Sequence, residues 1–511
     1  MLARTLSYGL SGVSGFPVTV EVYAATGIPQ LEVIGLPDAS VKESRNRVSA
    51  AIVNSGFIMP VARLTINLQP ADVKKEGPAF DLPMAICVMA ASGQFPQTDF
   101  TNILLLGELS LDGSLQPVRG ALPMVISASE AGIQKVILPL GNAEEVSCIQ
   151  GIQVYPATHL QQVVNHLRGK EMIPPQPQRS YREILESTTC AVDLAQVQGQ
   201  HGARRALEVA AAGGHNLLMI GVPGSGKTML ARSLPGILPL MSFEEALETT
   251  RIHSIAGKLA PGDGLMVTRP FCAPHHSASL ASLIGGGSSA KPGMVSLAHN
   301  GVLFMDELPE FSRQALEALR QPLEDGEVSV TRVHSQARYQ SSFMFVGSMN
   351  PCPCGFYGSK TKHCRCSANE IRRYLDRVSG PLLDRIDIQF EVDAVPVKEI
   401  SQASPAESSR EVGLRVKKAR EIQQARYREE DIHCNAQLHA SLLKKYCPLS
   451  TEASAVLHMA VDRLGMSMRA YGRVLKVART IADLANEEHI QTDHVAEAIQ
   501  YRELDAKYWG R

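Results

Sequence analysis

Eight consecutive residues, Gly221, Val222, Pro223, Gly224, Ser225, Gly226, Lys227 and Thr228, fit the pattern GxxxxGK[ST] between the apolar stretch "HNLLMI" and the helical run "TMLARSL". Glycines in such a turn let backbone N–H groups close around phosphate oxygens, Lys227 neutralises the outer phosphates, and the Thr228 hydroxyl ligates magnesium. Further on, "GVLFM" reads as a short buried strand that delivers Asp306 and Glu307 to its end. Asp306 is expected to hold magnesium, directly or through water, and Glu307 to polarise the attacking water. A third strand, "SSFMFVGSM", ends in Asn350, a polar group suited to positioning that water. Alone, an acidic strand end or a terminal Asn reads as a solvated turn. In this order, the three elements read as a nucleoside triphosphate hydrolase.

Directly after Asn350, "NPCPCGFYGSKTKHCRC" holds Cys352, Cys354, Cys364 and Cys366. Four soft ligands suit tetrahedral structural zinc, although one residue within each pair is tighter than the common spacing. His363 is a substitute ligand by type, but adjacent residues rarely both reach one ion. Unligated thiols and a redox pair are the alternatives. If zinc binds, four filled positions leave no open site for water or substrate, so its role is structural. His275 and His276 of "PHHSAS" form a less convincing metal site. On an extended segment, neighbouring side chains point to opposite sides, and no third ligand converges.

These residues need a scaffold, and 511 residues with 44% hydrophobic and 20% charged content supply two to four domains. The formal net charge of -1 leaves any phosphate binding to local clusters of Lys and Arg. The N-terminus is too broken by Gly, Ser and Pro for a signal peptide, and no stretch reaches the roughly 18 apolar residues of a membrane span. With cysteines outside the cluster scattered singly, a reducing, cytoplasmic location is expected and no membrane association. "KEMIPPQPQRS" marks a linker, placed at 171–185. Before it, residues 1–170 alternate strand and helix patterns, which predicts an α/β domain. After it, 186–395 reads as a parallel-sheet nucleotide-binding core, and 396–511 as a separate helical domain. Within the core, "LEDGEVSVTRVHSQARYQ" reads as a β-hairpin that makes Arg332, His334 and Arg338 available to a phosphate backbone.

Together with "RPFCAPHHSASLASLIGGG", "LEDGEVSVTR", "NPCPCG" and "GPLLDRID", these motifs resemble the magnesium-chelatase-like AAA+ ATPases, in particular the YifB/ComM group. The resemblance spans essentially the whole chain and departs from the usual pattern at Val222 and at "PGMVS". It implies ATP and Mg2+ as cofactors, a homohexamer, and a helical C-terminal lid at 396–511. Asn350 becomes the sensor-1 residue, Arg385 an arginine finger reaching a neighbouring subunit's nucleotide, and Arg469 the sensor-2 arginine. Arg377 and Arg473 are nearby competitors for those roles. The "PHHSAS" segment belongs, on this resemblance, to an insertion facing a central pore.

The N-terminal stretches "KKEGPAFDLPMAICVMA" and "GELSLDGSLQPVRGALPMVISA" resemble the proteolytic domain of Lon, with Ala79 and Leu122 where that family carries its Ser and Lys. Neither can form an acyl intermediate or take a proton, so no protease activity is expected. "VKESRNRVSAAI" places Lys42, Arg45 and Arg47 on a helix and resembles the basic motif of the Lon-like domain of RadA. Three charges on a helix most often form a solvated face; the alternative is DNA contact. The favoured reading is a hexameric motor that drives branch migration of DNA in natural transformation, with recombination proteins as partners. A protein-remodelling ATPase like the chelatase motor subunit, or an ATP-dependent scaffold, is the alternative.

Overall fold

The computed structural model describes residues 1–186, 192–260, 262–286, 290–332, 335–359, 362–394, 406–430 and 432–510. The chain is mixed α/β and divides into two compact units. One comprises Met1–Thr188, Ser242–Val267 and Thr331–Tyr339; the other comprises Thr189–Met241, Thr268–Val330 and Gln340–Arg511. The expected border at 395/396 lies outside the described residues.

In the first unit, strands β1 (Leu2–Ser11), β2 (Ser14–Ala25), β3 (Gln30–Ile34), β4 (Arg63–Gln69), β5 (Asp99–Leu105), β6 (Lys135–Pro139) and β7 (Gln153–Ala157) form one sheet. Its order is β3-β4-β2-β1-β5-β6-β7. β1–β2 and β2–β4 run antiparallel and the other pairs parallel. Strict alternation in "RLTINLQ" buries Leu64, Ile66 and Leu68, as period-2 patterning requires. Helices α1 (Ala39–Asn54), α2 (Asp81–Ala91) and α3 (Ala121–Glu130) complete the unit's framework. All eleven residues of α2 are buried, so "DLPMAICVMAA" is a core helix with no solvated side. The proline-rich stretch is irregular until Tyr181, where a short helix, Tyr181–Glu186, begins inside the expected linker.

Helix Phe243–Ala256, assigned from sequence to the nucleotide-binding core, instead clusters with this first unit and packs on α3. Its Ser254 hydroxyl donates to Glu145 Oε2 at 3.1 Å, while Asn142 Nδ2 donates to Oε1 at 2.8 Å. Burial raises the Glu145 pKa to about 7, against the opposing effect of those two donors. The folded state therefore holds a proton that the unfolded chain releases near its ordinary carboxylate pKa. Stability contributed by the neutral acid is fully present below about 4.5 and is lost as pH rises towards about 7. Glu145→Gln is expected to flatten this slope, worth on the order of 1–3 kcal/mol, in melting curves recorded from pH 5 to 8. An unchanged slope would remove Glu145 as its source.

The second unit is built on β8 (Leu217–Gly221), β9 (Phe271–Cys272), β10 (Val302–Met305), β13 (Met344–Met349) and β14 (Ile388–Val392), all parallel, in the order β9-β10-β13-β8-β14. Between β10 and β13, strands β11 (Glu327–Arg332) and β12 (Ser335–Gln340) pair as the expected hairpin. Every residue of β8, β10 and β13 is buried, which accounts for their unbroken apolar runs.

Helices α4 (His201–Gly213), α5 (Lys227–Ser233), α6 (Arg320–Asp325), α7 (Ala368–Leu375), α8 (Ser409–Arg426), α9 (Met468–Leu484) and α10 (Thr492–Gln500) belong to this unit. Val412 and Val416 of α8, Val477 and Ile481 of α9, and Val495 of α10 share one apolar cluster with Leu217 and Met219 of β8. The C-terminal helices thus complete the core of the sheet, where sequence periodicity alone had suggested a separate domain. Among the described residues no helix is long and apolar enough to cross a membrane.

Candidate functional site

The phosphate loop runs from the end of β8 into α5. Gly221 is required by crowding: a Cβ there would lie 2.4 Å from the Val392 carbonyl oxygen of β14. Gly224 and Gly226 turn the loop at φ of 78° and 91°. Asp306 and Glu307 follow β10 and Asn350 follows β13, so three consecutive strands of the sheet present their C-terminal ends to one cavity. The cavity is about 430 Å³ and is lined by Pro223–Met229, Asp306, Glu307 and Ser348–Asn350.

Inside it, Lys227 Nζ donates to Gly221 O at 2.7 Å, Val222 O at 3.0 Å and Asn350 Oδ1 at 3.2 Å. Burial lowers the Lys227 pKa, while Asp306 and Glu307 oppose the shift. The charge is thus partly stripped of water and aimed where a triphosphate's outer oxygens would compensate it. Asp306 accepts from Thr228 Oγ1 at 2.9 Å and from the Ser348 hydroxyl. The Thr228 hydroxyl and the Asp306 carboxylate form the hard-oxygen donor pair that Mg2+ takes beside phosphate. Ser348 was not foreseen from sequence; its signal was its place in "GSMN", two residues before Asn350 and on the same face of the strand.

Glu307 adopts φ of 54°, in the left-handed region, an uncommon conformation for a non-glycine residue. Its carboxylate stays half exposed and lies 3.6 Å from His276 Nδ1. The expectation that His275 and His276 diverge is overturned: their ring centroids are 4.1 Å apart. β9 stops at Cys272, and the histidines sit where a turn begins, so strand alternation does not apply. Ser277 Oγ lies 2.8 Å from His275 Nδ1.

Arg385 and Arg469 do not line the cavity. Arg385 Nη2 instead donates to the carboxylate of Glu324 on α6, and the charges of Arg385, Arg469 and Arg320 help lower the Glu324 pKa after that hydrogen bond. The competitors have other engagements. Arg473 is mostly buried and donates to Ile386 O at 3.1 Å, and Arg377 pairs with Glu310 at 2.9 Å.

The cysteine loop rests on the phosphate loop. At Gly355, φ 82°, a Cβ would meet Pro223 Cγ and Cδ at 2.6 Å, so the two loops touch through glycine backbone and proline ring. The sulfur of Cys352 lies 3.4 Å from that of Cys354 and 3.7 Å from that of Cys364, and Cys354 and Cys364 are 3.6 Å apart. With Cys366, all four sulfurs fall within 4.8 Å of one another. A zinc tetrahedron with bonds of about 2.3 Å has edges of about 3.8 Å, so the spacing is compatible with zinc. Backbone N–H groups of Arg365 and Phe356 hold the Cys354 pKa down to about 6, which favours the thiolate a metal requires. His363 is exposed and is not among the converging ligands.

In the first unit the basic helix divides. Lys42 and Arg45 on α1 are exposed. Arg47 instead closes on buried Asp81, Nε to Oδ2 at 2.7 Å and Nη2 to Oδ1 at 3.1 Å, and also donates to Ser44 Oγ. Its charge is committed to a bidentate pair within the fold, which removes it from the DNA-facing set proposed from sequence. Arg338 on β12 is exposed; Arg332 lies on β11 with its side chain outside the described residues, as is His334 entirely. Ala79 and Leu122 are both buried.

A phosphate loop with acidic and polar strand ends on one parallel sheet defines a P-loop ATPase core. Family models described as magnesium chelatase subunit ChlI, subunit ChlI of Mg-chelatase, and magnesium chelatase subunit ChlI C-terminal match residues 193–400, 20–142 and 406–502. The YifB protein of Salmonella typhimurium is 44% identical over 97% of this chain and 96% of its own. Competence protein ComM of Haemophilus influenzae is 42% identical over 98% of each. The chain belongs to the magnesium-chelatase-like AAA+ family, in its YifB/ComM group, and ATPase activity follows from that membership. Lon protease 2 of Bacillus subtilis is 25% identical over 34% of this chain, and this similarity to Lon falls in the N-terminal region.

Proposed function

We propose that the protein is a cytoplasmic, homohexameric, ATP-driven DNA motor that promotes branch migration of recombination intermediates during natural transformation, working with recombination proteins. The observation that carries this reading is the near full-length similarity to a competence protein. ATP and Mg2+ supply the reacting phosphoryl group and the charge that polarises it. Lys227 and the loop N–H groups bind the phosphates, Thr228 and Asp306 hold the metal, Glu307 takes the water's proton, and Asn350 orients that water. Arg385 serves a neighbouring subunit as the finger and Arg469 acts as sensor 2, a reading supported by the position of both outside the cavity lining of their own subunit. Lys42, Arg45, Arg338 and the hairpin carrying Arg332 and His334 face DNA. The Lon-like domain, with Ala79 and Leu122 in place of Ser and Lys, has no protease activity.

The four cysteines hold structural zinc that braces the phosphate loop through Gly355 and Pro223. Metal analysis is expected to give one zinc per chain, and Cys364→Ser to lower both zinc content and the melting temperature, the latter by roughly 5 °C or more. Purified protein free of zinc, with an unchanged melting point, would sink the assignment.

A protein-remodelling activity like that of the chelatase motor subunit is the second reading, favoured by the family descriptions, one of which covers even the N-terminal region. Branch migration of a synthetic three- or four-way junction with ATP, comparing wild type with Glu307→Gln, separates the two. Strand movement by wild type alone supports the DNA motor. ATP hydrolysis without movement on any junction supports remodelling of a protein partner.

A further inference from the structure

Arg385 is described most simply as a finger awaiting a neighbour, yet within its own subunit it is already engaged. Nη2 donates to Glu324 and Nη1 donates to Pro381 O at 2.7 Å. Its Nε–H is buried and has no acceptor among the described residues. The guanidinium is therefore anchored at one nitrogen, paired at a second and unsatisfied at the third.

Glu324 has the opposite character. Its side chain is 64% exposed, against 15% for Arg385. Three guanidinium groups, those of Arg385, Arg469 and Arg320, act on this one carboxylate. Arg320 is shared with Glu317 at 2.5 Å. A solvent-exposed pair is weak and readily exchanged, and a terminal phosphate of higher charge displaces a single carboxylate.

We propose that Glu324 is a positioning residue that occupies Arg385 within its own subunit and yields it to the terminal phosphate of a nucleotide bound by a second copy of this chain. The inference rests on the reading that Arg385 acts in trans. Glu324 is then an internal stand-in for phosphate: it keeps the finger folded down in the lone subunit and sets the threshold at which assembly becomes productive.

The test is ATP turnover as a function of protein concentration. Glu324→Gln keeps an acceptor of the same shape and removes its charge, and is expected to lower the concentration of half-maximal specific turnover about threefold or more. The gap from wild type should close as salt rises to about 0.5 M, because screening weakens the wild-type pair and leaves the amide unaffected. Glu324→Asp, with charge kept on a shorter arm, should fall between the two. A curve that does not shift, a gap that is insensitive to salt, or turnover reduced at every concentration would overturn the proposal. Subunit mixing keeps the two readings apart. If Arg385→Ala and Lys227→Ala subunits complement each other while Glu324→Gln leaves the curve in place, only the role of Glu324 fails. Without complementation in mixed rings, the finger reading itself fails.

Discussion

Glu307→Gln is expected to bind ATP with near wild-type affinity and to lose hydrolysis by roughly 10²–10⁴-fold, the usual contribution of a positioned general base. The geometry explains the split. Binding belongs to Lys227 and the loop, whereas Asp306 is already held by Thr228 and Ser348. Glu307 alone of the acidic pair has a half-exposed carboxylate at the cavity. An amide preserves its size and cannot take a proton. Equilibrium binding of a fluorescent ATP analogue alongside steady-state phosphate release checks both halves. Full turnover in the variant would transfer the base to another group, and lost binding would place Glu307 in substrate affinity.

Mixing inactive subunits gives the second large effect. Arg385→Ala and Lys227→Ala are each expected to abolish turnover, the first by about 10³–10⁵-fold if it removes a finger. In mixed rings, an intact Lys227 site in one subunit can face an intact Arg385 from its neighbour, so a fraction of sites regains activity. Phosphate release measured across mixing ratios should pass through a maximum between two inactive ends. A flat line in rings shown to contain both variants would mean that Arg385 acts within its own subunit.

Much of this site was legible in the sequence because phosphate chemistry fixes residue order at strand ends. Lys227, Asp306, Glu307 and Asn350 converge as spacing implied, and the tight cysteine pairs converge because the chain reverses at Gly355. Other features depend on distant partners that no local pattern reveals. Arg47 looked like its exposed neighbours until Asp81, 34 residues away, claimed it. The two histidines were misread because β9 is only two residues long, and its apolar lead-in does not announce where it stops. Helical periodicity located α8 and α9 but did not say what they cover, since an apolar stripe fits a sheet as well as another helix.

That shared core has a consequence for biosynthesis. Translation delivers the phosphate loop near residue 221, but the apolar cluster beneath it also draws on Val495 and Ala498 of α10 and on Tyr501. The core beneath the phosphate loop is therefore complete only once synthesis has passed α10, and domains fold as units. The first unit waits as well, for Ser242–Val267 and Thr331–Tyr339. Until α10 has been made, the sheet that carries the phosphate loop therefore lacks part of its apolar cover.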